Sequence, residues 1–283
     1  MQTIFCRSCN SKKLINAFDL GTQYLSGVFP STKKQQNFPK GSLAMIFCDS
    51  CKLLQLKNSF NAEIMYGENY GYMSALNDSM IQHLYKKSNN LKKKTNLYKG
   101  DLIIDIGSND GTFLSFFSKN YNLIGIDPTI KKLGKFYRKD IKKFPNFFTK
   151  EIIENNFKKK VKLVTSISMF YDLENPVKFA QDIFDILDKD GLWHLEQSYM
   201  PMMLKNNAYD TICHEHLEYY SLKSIKYIFD KVGFKIIDLE FNEINGGSFA
   251  LTLAKKKSKK FKEITYLINW LLKKEELFSY NSL

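Results

Sequence analysis

The rhythm of apolar and polar positions changes near residue 102. Leu102-Ile103-Ile104-Asp105-Ile106-Gly107 is an almost unbroken apolar run, the pattern of a parallel strand buried on both faces. The turn Gly107-Ser108-Asn109-Asp110-Gly111 follows. Residues 112–119 then predict a helix, with Phe113, Leu114, Phe116 and Phe117 apolar. A second strand, Leu123-Ile124-Gly125-Ile126-Asp127, is capped by Pro128. Further strands are predicted at 161–168, 192–197, 234–241 and 249–254. Between them Val177, Ala180, Ile183, Phe184 and Leu187 keep helical spacing. So do Ile225, Ile228, Phe229 and Val232, with Gly233 placed as a C-cap. Strands alternating with helices predict an α/β fold with a doubly wound sheet.

Ahead of this region four of the five cysteines form two knuckles, Cys6-Arg7-Ser8-Cys9 and Cys48-Asp49-Ser50-Cys51. Two Cys-x-x-Cys pairs supply the four thiolates of a closed tetrahedral zinc site. A redox pair would need only one knuckle, at the start of a helix. The stretch between the knuckles carries Gly21, Gly27, Pro30 and Pro39, so a loop or hairpin is predicted there. With no open coordination position expected, Cys6, Cys9, Cys48 and Cys51 are read as ligands of a structural Zn2+. The metal replaces a core that so short a segment cannot build.

Composition adds limits. Hydrophobic residues make up 44% and charged residues 25% of 283, ordinary values for a chain with a real core. No apolar run approaches the roughly 20 residues that span a bilayer, and the N-terminus lacks a signal-peptide pattern. A cytoplasmic protein without a membrane partner is expected. The net charge of +13 comes from lysine spread along the chain. Its runs at 92–94, 158–160 and 255–257 sit at element boundaries and read as solvated surface.

In a doubly wound sheet, ligands bind at the carboxyl ends of the strands. That puts the turn at 107–111 beside Asp127, 22 positions after Asp105, close to the spacing at which an acid reaches a ribose hydroxyl. The turn lacks the middle glycine of Gly-x-Gly-x-x-Gly, which lets backbone N–H groups approach a pyrophosphate. S-adenosylmethionine carries an ammonium and a carboxylate instead of phosphates, and suits this turn better. Asp105, Gly107, Ser108, Asn109, Gly111 and Asp127 are the predicted cofactor residues, with Ser166 at the end of the strand at 161–168.

Asp105-Ile106-Gly107-Ser108-Asn109-Asp110-Gly111-Thr112 resembles the first motif of the sugar C-methyltransferases of deoxysugar pathways. These enzymes add a branch methyl at C-3 of nucleotide-linked 4-keto sugars. The four N-terminal cysteines precede the motif as in that family. Ile212-Cys213-His214-Glu215-His216-Leu217-Glu218-Tyr219-Tyr220-Ser221 resembles its His-Glu-His segment, and Asn245-Gly246-Gly247-Ser248 resembles its late Asn-Gly-Gly-Ser motif. Tyr66-Gly67-Glu68-Asn69-Tyr70-Gly71-Tyr72 resembles a tyrosine-rich stretch bordering the sugar. The matches run in order over nearly the whole chain. The resemblance implies a class I methyltransferase core of Rossmann-like type, a small N-terminal zinc module and a helical linker. The expected division is a zinc module at 1–60, a helical connector to the substrate site at 61–98, the S-adenosylmethionine-binding core at 99–256, and a helix at 257–283. The family's C-terminal domain is expected to be absent or truncated here.

Methylating carbon requires a carbanion-like nucleophile. A neighbouring ketone makes the proton acidic enough for a side chain such as His, whose unperturbed pKa is ~6.5. The resemblance implies His216 as that base, Glu215 as the group that orients it, and Tyr72 as a hydrogen-bonding group near the methyl or the sugar. It implies substrate contacts at Tyr70, His214 and Asn245. Of the other histidines, His194 falls in a predicted strand and His83 in a helical stretch, so both are expected to be structural. Two positions depart from the family. The Asn and His that its members carry after the fourth strand are missing from Ser166-Ile167-Ser168-Met169-Phe170-Tyr171, and Cys213 stands where a tyrosine is usual. Both departures lie on the substrate side.

Three other functions fit parts of the pattern. One is an O- or N-methyltransferase of another anionic small molecule. Another is a zinc-containing binding subunit without catalysis. The third is a nucleic-acid binder or methyltransferase, which the absence of an Asn/Asp-Pro-Pro-aromatic stretch at 166–169 disfavours. Nucleic acid is therefore not an expected partner.

Overall fold

The computed structural model describes residues 2–27, 38–66 and 70–277. Pro30 and Gly67, Glu68 and Asn69 of the tyrosine-rich stretch lie outside them.

The N-terminal part is a hairpin of β1 (Leu14–Tyr24) and β2 (Lys40–Cys48), extended by the short β3 (Leu54–Leu56). Next come a one-turn helix α1 (Ala62–Met65) and the long α2 (Asp78–Thr95), whose first turn is capped by the Asn77 side chain. The core follows as β4 (Leu102–Ile106), α3 (Thr112–Ser115), β5 (Asn122–Ile126), α4 (Ile130–Leu133), β6 (Lys142–Phe144), α5 (Lys150–Glu154), β7 (Val161–Ile167), α6 (Pro176–Ile186) and β8 (Leu187–Ser198). Then come α7 (Met200–Asn206), the two-residue β9 (Glu218–Tyr219), α8 (Leu222–Val232), β10 (Phe234–Asn242), β11 (Ser248–Lys255) and α9 (Thr265–Leu277).

Seven strands form one sheet in the order β10-β11-β8-β7-β4-β5-β6. From β6 to β8 neighbours are parallel, while β11 runs antiparallel to both β8 and β10. This is the class I methyltransferase sheet, with an antiparallel strand in an otherwise parallel, doubly wound layer. Every residue of β4 is buried. Successive residues serve opposite faces, as strand geometry requires. Ile104 and Ile106 join Val164, Trp193, Phe229 and Ile183 on the side of α6 and α8. Ile103 joins Leu163, Leu192, Leu84, Leu91 and Phe113 on the side of α2 and α3.

Helix ends follow local chemistry. Asn175 accepts a bond from the Lys178 amide ahead of Pro176 at the start of α6. Ser221 and Ser224 form a reciprocal capping pair at α8, and Gly233 closes that helix at φ 105°, the left-handed conformation predicted for it. The helix predicted over 112–119 is only one turn long. Phe116 and Phe117 instead close a loop over the α2 face, stacking on Tyr85 and Phe113.

A second sheet has the order β1-β2-β3-β9. Its fourth strand comes from residues 218–219, far along the chain, and pairs Gln55 with Glu218 and Leu54 with Tyr219. Leu43, Met45, Leu54 and Leu56 pack on Met200, Met203 and Leu217. The N-terminal module is thus completed by a segment of the core, at the position just after the His-Glu-His motif.

Candidate active site

A cavity of about 290 Å³ opens at the carboxyl ends of β4, β5 and β7, lined by the 107–109 turn, Asp127, Phe147, Ser168 and Asp172 and closed on one side by Tyr66, Tyr70 and Tyr72. The turn is shaped by its backbone. Gly107 has φ 73°, and a Cβ there would lie 2.9 Å from Met169 Cγ. Asp127 orders the turn from β5: one carboxylate oxygen accepts from the Asn109 amide at 2.9 Å, the other from the Thr129 amide at 2.7 Å and the Thr129 hydroxyl at 2.5 Å. The first oxygen keeps a lone pair for a ligand hydroxyl. Asp105 lies deeper, where burial pushes its carboxyl up to about 7 despite a 2.6 Å bond from the Thr165 hydroxyl. With Asp110 nearby, this end of the cavity is acidic, which suits a ligand carrying an ammonium and a sulfonium. Ile126, Pro128, Phe147 and Phe148 offer the apolar surface a purine needs.

The predicted cofactor residues separate into two groups. Asp105, Gly107, Ser108, Asn109 and Asp127 line the cavity. Gly111 and Ser166 do not. Gly111 starts α3 at φ 79°, with Tyr137 where a Cβ would stand. Ser166 is fully buried, and its hydroxyl accepts the Trp193 indole N–H at 2.9 Å on the far face of the sheet. Asn109 also does something composition could not show. Its side chain accepts the Ser74 amide at 3.0 Å and donates to the Tyr72 carbonyl at 3.1 Å, while Asp110 accepts the Ala75 amide at 2.8 Å. The turn thereby fastens the tyrosine-rich stretch over the cavity.

The His-Glu-His residues surround this cavity without lining it. The His216 ring lies 4.2 Å from that of Tyr171, the neighbour of Asp172. Its Nδ1–H donates to the Thr211 carbonyl at 2.8 Å, which leaves Nε2 as the bare nitrogen. Burial lowers its pKa to about 4. The Glu215 carbonyl accepts from the Tyr66 hydroxyl at 3.2 Å, and burial raises the Glu215 carboxyl. His214 is bound into the N-terminal segment: its Nε2–H donates to the Gly41 carbonyl at 3.2 Å, its Nδ1 faces Ser26, and Phe60 stacks on it edge-on. The contacts that the structure gives His214 are thus with the N-terminal segment. Asn245, at φ 52°, reaches Ser168 at the rim. His194 and His83 are structural. His194 is buried against Thr252, and His83 meets the Glu196 carboxylate at 2.5 Å.

The four cysteine sulfurs all lie within 4.8 Å of one another, with Cys6–Cys51 and Cys9–Cys48 at 3.5 Å. A disulfide needs ~2.05 Å, whereas thiolates at ~2.3 Å from one zinc sit about 3.8 Å apart. The donor set and spacing fit a closed zinc site.

Two family models match the chain, and the one described as a methyltransferase domain covers residues 80–239. The chain belongs to the methyltransferase-domain family. The second model, described as a zinc binding domain, covers residues 6–66, around the cysteine quartet. The C-methyltransferase NovU of Streptomyces niveus is 27% identical over 256 residues, which is 88% of this chain and 60% of NovU. The chain thus spans less than two thirds of that relative. Among solved structures, the YcgJ protein of Bacillus subtilis is similar at 14% identity and TM-score 0.49, over 62% of this chain and all of that one. An S-adenosylmethionine-dependent methyltransferase from Clostridium acetobutylicum is similar at 11% identity and TM-score 0.49, over 64% of this chain and 93% of that one.

In this methyltransferase domain the cavity is the candidate S-adenosylmethionine site. Sequence reasoning missed Asp172 there. Its Oδ1 is shielded from solvent and has no hydrogen-bond partner, its carboxyl meets Tyr66, and burial, aided by Glu215, drives its pKa well above the carboxylate range. Its place just after β7, at the carboxyl end of the sheet, was the available signal. Tyr66 was noticed as part of a motif, but its role as a link between Asp172 and Glu215 needed coordinates.

Proposed function

We propose that this chain transfers a methyl group from S-adenosylmethionine to a carbon next to a carbonyl, on a nucleotide-linked keto-deoxysugar. The observation that supports it most is the placing of the His216 segment one residue layer beyond Asp172, at the end of the cavity where Tyr66, Tyr70 and Tyr72 gather. His216 Nε2, the bare nitrogen, takes the proton from the carbon flanked by the carbonyl. The electron pair then attacks the sulfonium methyl in line, and S-adenosylhomocysteine leaves. Asp127 holds the ribose hydroxyls, and the 107–109 turn holds the methionine end. Tyr72 and Tyr70 face the sugar, with Asn245 at its rim. The working division of labour is a zinc module at 1–60, a connector at 61–98 and the core at 99–256. NovU, a C-methyltransferase by name, supports carbon as the acceptor. Transfer to oxygen or nitrogen of another anionic small molecule is the second reading, favoured by the missing Asn and His after β7.

The test is calorimetric titration of S-adenosylmethionine and S-adenosylhomocysteine into the zinc-loaded chain. Binding is expected, weakened about tenfold or more by Asp127→Ala, in line with loss of charge-assisted hydrogen bonds. A folded, zinc-loaded chain that binds neither ligand ends the proposal. A product with a new C–O or C–N bond would select the second reading.

A further inference from the structure

The segment carrying His216 is a seam between the two sheets. From the core side, the Tyr171 carbonyl accepts the Leu217 amide at 2.7 Å and the Tyr171 ring covers His216. From the N-terminal side, the Leu56 amide donates to the Leu217 carbonyl at 2.9 Å, and Ser26 Oγ accepts the His214 amide at 2.9 Å. Gly27 lies so close that a Cβ there would stand 1.8 Å from a Glu215 carboxylate oxygen. At the base of this seam sits Glu218, two residues after His216. It is fully buried, and neither of its carboxylate oxygens receives a hydrogen bond.

Among the described residues, the one cation within 4 Å of Glu218 is Arg7, with Nε 3.8 Å from Oε1. Arg7 is carried between Cys6 and Cys9. Its guanidinium is 3% exposed and is held in place by Gln55 Oε1 at 3.2 Å, the Leu56 carbonyl at 2.7 Å and Ser59 Oγ at 2.8 Å. Burial drives the Glu218 carboxyl well above the usual carboxylate range, and Arg7, whose Nε also lies 3.6 Å from Oε2 of the exposed Glu174, is the cation that opposes this. That cation is fixed only while the loop between the two cysteines is folded around its metal.

We infer that Arg7 is a positioning residue: it ties the zinc loop to Glu218 and thereby sets the place of the His216 imidazole. The N-terminal module thus shapes the proposed catalytic segment from behind, without touching the substrate. The inference rests on the reading of His216 as the base.

The test is nitrogen-15 NMR of the imidazoles in the full, zinc-loaded chain, together with amide exchange. With four histidines the spectrum is readable, and His216 should show a protonated Nδ1 and a bare Nε2. In Arg7→Met the His216 signals should move toward a mixture of tautomers, and amides at 213–219 should exchange about tenfold faster or more. Zinc content, S-adenosylhomocysteine affinity and the His83 and His194 signals should stay unchanged. Arg7→Lys should recover part of the effect. Unchanged His216 signals and exchange in zinc-loaded Arg7→Met would overturn the inference. If that variant loses zinc or fails to fold, Glu218→Leu, which removes the side chain that Arg7 faces while keeping its bulk, leaves the loop intact and must produce the same changes; its failure to do so overturns the inference equally. Both readouts are independent of turnover. A chain that binds no S-adenosylhomocysteine yet shows the His216 shift would support the coupling while ending the methyl-transfer reading.

Discussion

The four-stranded and seven-stranded sheets solve the problem of staying folded in different ways. In β4 all five residues are buried, and both faces are covered by helices. In β1 none is buried, and Ile15, Phe18, Leu20 and Tyr24 are left at the surface. Burial at ~25 cal/mol per Å² of apolar area can hold the first sheet. The second has one well-covered face, packed on Met200, Met203 and Leu217, and beyond that the four cysteines. The contrast teaches that the cavity and the proposed base at His216 rest on supports of different strength, and these can be removed separately.

The largest expected effect follows directly. Structural zinc in small modules contributes roughly 10–16 kcal/mol, more than a sheet this exposed can supply. Cys48→Ser should abolish zinc binding and melt β1, β2 and β3, seen as lost amide protection there. The amides of β4, β5 and β7 should stay protected. If these melt as well, the two sheets form one cooperative unit and the comparison collapses.

His216→Ala sharpens the comparison from the seam. Removing a general base costs about 10²–10⁴-fold in rate, while neither sheet depends on the imidazole for its core. Turnover of a nucleotide-linked 4-keto sugar should fall by that order, with S-adenosylmethionine affinity and both sheets unchanged. Retained turnover removes His216 from the role.

How far each region was legible in the sequence follows from the same difference. Strands buried on both faces, such as 102–106 and 161–167, announce themselves as apolar runs, and Gly233 and Asp127 were readable because caps and strand ends have fixed residue preferences. The cysteine quartet was readable from spacing. β1 was only a loop or hairpin in prospect, because its exposed face carries no alternation. β9 was invisible: two residues make a strand only because β3 lies beside them. Within the site, Asp105, Gly107 and Asp127 were legible because one strand–turn–strand places them. Asp172, His214 and the Arg7–Glu218 pair were not, because their partners lie far away in sequence.

The large sheet also carries a pH signature. Burial raises Asp105 from 3.8 to about 7, so the folded state holds a proton that the unfolded chain releases. A raised folded pKa means a contribution present below pH ~4 and lost as pH rises through about 7. Thermal stability of the core should therefore decline across that window. Asp105→Asn, which keeps a partner for Thr165, should flatten the decline by an amount on the order of 4 kcal/mol. A bound ammonium favours the ionised carboxylate, so S-adenosylmethionine should stabilise the wild type more at pH 8 than at pH 5.5. An identical pH dependence in the two proteins would mean that Asp105 is ionised throughout.

The smallest effect concerns Ser166, which its position at the end of the strand marks as a cofactor residue and which the fold turns the other way. Its hydroxyl accepts the Trp193 indole N–H at 2.9 Å, in the apolar layer between the sheet and α6 and α8. Ser166→Ala leaves that N–H buried without a partner, a loss of roughly 1–3 kcal/mol. A cofactor contact would predict the reverse, with weaker S-adenosylmethionine binding and a stability close to wild type. Chemical denaturation and calorimetry on the same variant separate the two, and we expect a lower unfolding midpoint with unchanged affinity. Weakened binding at constant stability would return Ser166 to the cavity and show that the β7 carboxyl end is arranged differently around a bound ligand.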